Sequence, residues 1–147
     1  MIDLEAVLLP VGAEVYAVPM ESVREVVADP LITTLATAPR LVLGLFNLRG
    51  QIVPLFDTAA LLGIGAVGAV NFAVVLQTPH GLAALAATGL PQRVLLETMT
   101  GVSELPGTIG AYRLGRRVAV LLDLAALLTP GSPGGRDRDV ALSEGPG

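Results

Sequence analysis

Apolar residues run through AVLLPVGAEVYAVPM, from Ala6 to Met20, and Gly12 and Ala13 break that run in two. A glycine turn between two β-branched segments predicts a hairpin. The next stretch, ESVREVVAD, changes period: Met20, Val23, Val26 and Val27 fall on one helical stripe, and Asp29 precedes Pro30. A residue before proline is displaced from the helical region, so a short helix closing there is predicted. LITTLATAP is rich in β-branched residues and reads as a strand or extended arm ending at Pro39. Leu41 to Leu48 and Gln51 to Phe56 then form two strands about a turn at Arg49-Gly50. Pro54 predicts an edge position or a bulge for the second of them, because proline cannot donate to a ladder.

Asn71 to Gln77 and Leu82 to Thr88 are strands joined by a TPHG turn, and GLPQRVLLE after them reads as extended. The halves are related. IVPLFDTAALL, Ile52 to Leu62, aligns without gaps on VAVLLDLAALL, Val118 to Leu128, an offset of 66 residues. In both copies a hydrophobic strand ends at an aspartate, Asp57 or Asp123, placed to cap a short helix that starts at the next residue. Several short strands and one terminal helix per half predict a mainly β fold of two small barrels related by pseudo-symmetry. The first barrel spans about residues 4–65 and the second about 70–128, within a single domain covering 1–128. TPGSPGGRDRDVALSEGPG, residues 129–147, has no hydrophobic period and reads as a disordered tail.

Composition narrows the function. Nine arginines, no lysine and thirteen acidic residues give a net charge of -4, with no basic cluster beyond Arg113, Arg116 and Arg117. That footprint, with aromatics at 3% of residues, argues against nucleic-acid binding. The absence of cysteine excludes disulfides and thiolate chemistry, and Asp3 and Glu5 stand where a signal peptide carries positive charge, so a cytoplasmic location is predicted. Ala59 to Leu76 is almost wholly apolar and long enough to consider as a membrane span. Gly63, Gly65, Gly68 and Asn71 interrupt it, and the second AALL sits in an ordinary charged context.

Catalytic templates fail. The one histidine, His80, lies in the TPHG turn with no second metal ligand or paired nucleophile nearby in sequence, and GIGAVG lacks the Lys-Ser/Thr of a phosphate loop. No catalytic, metal or cofactor site is predicted. On the predicted helix Glu21 and Glu25 form a like-charge i,i+4 pair, with Arg24 able to relieve Glu21. Glu25 then needs a cation from elsewhere, and Arg49 is a candidate; an arginine that merely solvates the turn is equally compatible with the sequence.

ESVREVV followed by GLFNLRGQIVPLFDTAALLG resembles the signature of the CheW-like domain family, and VYAVP before it and VAVLLDLAALL at the end extend the resemblance over about Leu4 to Leu128. The resemblance implies two five-stranded SH3-like barrels packed through a shared core. It also implies a non-enzymatic adaptor that links chemoreceptor cytoplasmic tips to the regulatory domain of the histidine kinase CheA, without cofactor, nucleic acid or membrane insertion. Glu25 corresponds to the family's helix glutamate and Arg49 to the arginine of Asn47, Leu48, Arg49, Gly50; these are expected to pair beneath a receptor-facing surface, with Val23 a hydrophobic contact. The resemblance also implies receptor contacts near Thr88 to Leu90, where Thr88 stands in place of the family's frequent aspartate, and the segment between Glu97 and Ala111 is short for the family. A different class of function, a barrel that senses a small molecule or peptide in the inter-barrel groove, fits the same composition.

Overall fold

The computed structural model describes residues 3–36 and 41–128; the expected tail at 129–147 and the end of the arm at Pro39 lie outside them. The first hairpin is present as β1 (Leu4–Val11) and β2 (Glu14–Pro19), with Gly12 at positive φ in the turn. A single 3-10 turn, Met20–Ser22, leads into β3 (Val23–Ala28). The predicted helix here is therefore corrected to a strand. The valine spacing fits a helical stripe, but Val26 and Val27 pair with Val74 and Ala73 of a neighbouring strand, and exposure alternates along β3. Valine's preference for a pleated surface wins once that partner is available. Arg24 consequently donates to Gln77 Oε1 at 3.1 Å instead of meeting Glu21.

β4 (Val42–Leu48), β5 (Gln51–Phe56) and α1 (Thr58–Leu61) follow, then β6 (Phe72–Thr78), β7 (Gly81–Ala87), β8 (Gln92–Leu96), β9 (Thr98–Val102), β10 (Thr108–Leu114), β11 (Arg117–Leu122) and α2 (Leu124–Leu128). They form two sheets, one ordered β3-β6-β7-β5-β4 and one ordered β8-β1-β2-β11-β10-β9. The sixth strand of the second sheet, β9, comes from the segment between Glu97 and Ala111.

Sheet membership crosses the contiguous split near residues 65–70. The β1–β2 hairpin, from the first half, lies in the sheet of the second, beside β8 and β11. The β6–β7 hairpin makes the reverse crossing, to β3 and β5. Each exchange creates a parallel junction, Leu55 with Ala84 and Leu121 with Ala17. The exchanged hairpins are therefore buried on both faces: Val7, Leu9, Tyr16 and Val18 join Val74, Val75 and Leu85 in the large core, while Ala6, Val15 and Ala17 fill a smaller core with Leu96, Ala119 and Leu121. Burial on both sides explains the near-continuous apolar runs of these strands.

Pro54 is not at a sheet edge, since β5 lies between β7 and β4. Its position is still open on one side. Leu45, its partner on β4, exchanges main-chain bonds of 2.9 and 2.7 Å with Thr33, so the Leu45–Pro54 pair carries no ladder bonds, and pairing with β7 starts only at Leu55. A missing N–H costs nothing there. The same Thr33–Leu45 bridge brings the segment after β3 against β4 and closes the five-stranded sheet on itself.

Both aspartates cap their helices. Asp57 Oδ1 accepts from Ala60 N at 3.0 Å and Asp123 Oδ1 from Ala126 N at 3.1 Å. The buried Asp57 has a further bond, from Val67 N at 3.0 Å, which pins the glycine-rich connection to β6. The apolar run from Ala59 to Leu76 is thus a one-turn helix, a connection and part of a strand; among the described residues no helix is long and apolar enough to cross a membrane.

Candidate functional site at the first hairpin tip

The tip of the β4–β5 hairpin is built by Asn47 to Gly50. Leu48 pairs with Gln51, leaving Arg49 and Gly50 as a two-residue loop with φ of 49° and 91°. Positive φ at both central positions is the type I′ pattern, whose twist matches that of the flanking strands. Glycine takes such a conformation freely, whereas arginine does so at a steric cost. The asparagine shapes the turn: its Oδ1 accepts from Gly50 N at 2.8 Å. Leu48 is buried in the large core and anchors the tip. Arg49 is left projecting outward, its side chain 70% exposed.

Glu25 reaches Arg49 from β3, at the opposite edge of the sheet order, which the closure of the barrel brings round. The guanidinium meets both carboxylate oxygens: Nη1 donates to Oε2 at 3.2 Å and Nη2 to Oε1. A bidentate fork fixes orientation as well as distance. The hydrogen bond from Arg49 holds the Glu25 carboxyl below its usual range, and Glu25 in turn raises Arg49. Both groups are open to solvent, so screening keeps the pair from contributing much to stability. Its effect is to hold the tip against β3.

Val23, two residues from Glu25, is half-buried against the large core. Val23, Glu25, Asn47, Leu48, Arg49 and Gly50 are thus gathered at one end of the five-stranded barrel. Thr88 and Leu90 are not with them. The parallel register of β5 and β7 puts the hairpin tip toward the start of β7, and Thr88 follows its end. Thr88 is engaged internally: its N–H donates to Pro10 O at 2.9 Å, its hydroxyl accepts from Gly12 N at 2.9 Å, and its carbonyl accepts from Asn71 Nδ2 at 2.7 Å. It ties the end of β7 to the β1–β2 turn. Leu90 beyond it is 59% exposed.

Ile52 was not among the residues singled out from sequence, yet it is 59% exposed and directly opposite Asn47. The alternation in IVPLF carried the signal, since inward Val53 and Leu55 force Ile52 outward. His80 is exposed in its turn, beside a cleft of about 210 Å³ that is also lined by Ser22, Thr78 and Leu128. That volume is below the usual range for small-molecule sites, roughly 300 Å³ and upward. Among the described residues no group of three or more His, Cys, Asp or Glu could hold a metal ion.

Comparison with known proteins agrees with this architecture. The solved structure of the scaffolding protein TtCheW from Thermoanaerobacter tengcongensis superposes with a TM-score of 0.75 at 20% identity, covering 91% of this chain and 92% of that one. A probable chemotaxis protein CheW of Rhizobium etli is 36% identical over 62 residues, a stretch that is 42% of this chain and 40% of that relative's length. The CheW-like domain family matches residues 5–130, which takes in both sheets, the hairpin tip and its glutamate; the chain belongs to that family.

Proposed function

We propose that the protein is a non-catalytic chemotaxis adaptor, acting in the cytoplasm to couple chemoreceptor tips to the regulatory domain of the histidine kinase CheA. The observation that carries this reading is the bidentate Glu25–Arg49 pair, which holds an exposed tip in one orientation with aliphatic Ile52 beside it. An oriented charge next to an aliphatic contact suits a protein partner: the apolar surface supplies affinity and the guanidinium sets register. Val23 and Leu48 support that surface from beneath, Asn47 and Gly50 are exposed at the tip itself, and Leu90 offers a separate apolar contact at the far end of β7. Thr88 acts there through the fold, by fixing the β1–β2 turn.

The test is a pull-down with receptor cytoplasmic fragments and with CheA, using the wild type, Arg49→Ala and Glu25→Ala. The wild type is expected to retain both partners, and each variant to lose receptor fragments while its melting temperature stays near that of the wild type. Failure of the wild type to retain either partner would overturn the reading.

A further inference from the structure

At the offset of 66 residues, Leu48-Arg49-Gly50-Gln51 corresponds to Leu114-Gly115-Arg116-Arg117, the tip of the β10–β11 hairpin. Arg113 lies directly opposite Val118, as Asn47 lies opposite Ile52. Opposed residues share a face. Ala119, Leu121 and Tyr112 fill the small core, so Arg113 and Val118 stand on the opposite side of the hairpin, beyond the Val120 and Leu122 that join the large core. Val118 is 51% exposed, and Arg113, Arg116 and Arg117 are all exposed. Among the described residues none of these three guanidinium groups has an ion-pair or hydrogen-bond partner. The acid nearest along the strands, Glu97, precedes the Thr98 that pairs with Arg113, yet makes no ion pair with it.

Three uncompensated like charges within five residues repel one another, and a chain of net charge -4 has carboxylates enough to have balanced them. We propose that this tip is a second docking surface, for an extended acidic segment of a partner protein. Its carboxylates pair with Arg113 and with Arg116 in the loop, and an aliphatic side chain between them covers Val118; Arg117, opposite Leu114, stands on the other side of the hairpin and adds only its field. Charge complementarity selects the acid, and the exposed valine among the arginines selects a protein. A nucleic acid would find no aromatic platform on this face, since Tyr112 points into the core. An anionic membrane would be opposed by the net charge of the rest of the chain.

Fluorescence anisotropy on the full chain, with a labelled peptide of alternating Glu and Val, tests this surface separately from the Arg49 tip. The peptide is expected to bind, to weaken with added salt, and to weaken about tenfold or more in Arg113→Glu with Arg116→Glu. Arg113→Lys with Arg116→Lys should retain most of the binding, and Arg49→Ala all of it. Should the double reversal fail to fold, Arg113→Ser and Val118→Ser each provide the same test with a smaller drop. The proposal is overturned if a Lys and Val peptide binds as well, if the charge reversal changes nothing, or if anionic vesicles or a single-stranded oligonucleotide bind more tightly than the acidic peptide.

Discussion

At residue 49 the first hairpin places an arginine in the left-handed turn position that Gly115 occupies, with φ of 62°, in the second. In the first tip glycine comes one residue later, asparagine satisfies its N–H, and Glu25 fixes the arginine. In the second tip glycine comes first, no side-chain bond braces the turn, and three arginines are unpaired among the described residues. The backbone repeat therefore carries two different surfaces: one pre-oriented, one cationic and free to adapt. A repeat can conserve its strands and helix cap while its solvent-facing positions diverge, because only the former are held by packing.

The helix caps diverge in the same way. Asp57 is buried and bonded to two backbone N–H groups, whereas the half-buried Asp123 makes one cap bond. Removing Asp57 leaves the Val67 N–H without its acceptor, and a buried donor left unsatisfied costs more than a lost cap alone.

The largest expected effect follows from that contrast. Asp57→Ala should destabilise by about 2–3 kcal/mol in denaturant unfolding, and Asp123→Ala by about 1 kcal/mol; equal losses would break the distinction between them. Next, Gly50→Ala and Gly115→Ala each place a β-carbon in a left-handed turn and should cost about 1 kcal/mol by the same measurement. Arg49→Gly separates conformation from recognition. The left-handed strain is relieved, so the melting temperature should hold or rise slightly, while receptor-fragment capture is lost. A fall in both would make the arginine a structural residue. The smallest effect is in pH dependence. Because Arg49 depresses the Glu25 carboxyl, the pair's contribution is complete above the ordinary glutamate range and is lost as pH falls through the lowered folded value. An NMR titration of the Glu25 carboxyl should show that lowered midpoint, and Arg49→Ala should return it to the usual range.

Much of the fold was legible because short-range chemistry states it. Glycine turns, period-2 alternation and an aspartate before AALL give three of the hairpins, most of the strands and both caps without any knowledge of neighbours. Residues 20–28 show where that ends: the valine spacing satisfies a helical stripe as well as a bulged strand, and only the ladder to β6 decides. The site was legible in part. NLRG identified the turn and named the arginine, but the choice between a partner in Glu25 and simple solvation needed the barrel to close through Thr33 and Leu45.

The sequence by itself determined most of the strands, both helix caps and the repeat, since these follow from local geometry and the two-residue period of a strand. Tertiary structure alone decided the exchange of the β1–β2 and β6–β7 hairpins between the sheets, and with it the two-sided burial of their apolar runs. The two connectivities present the same alternation along the chain, so the hydrophobic pattern does not distinguish them. What separates them is which sheet edge each hairpin meets, and that contact exists only after the chain has packed.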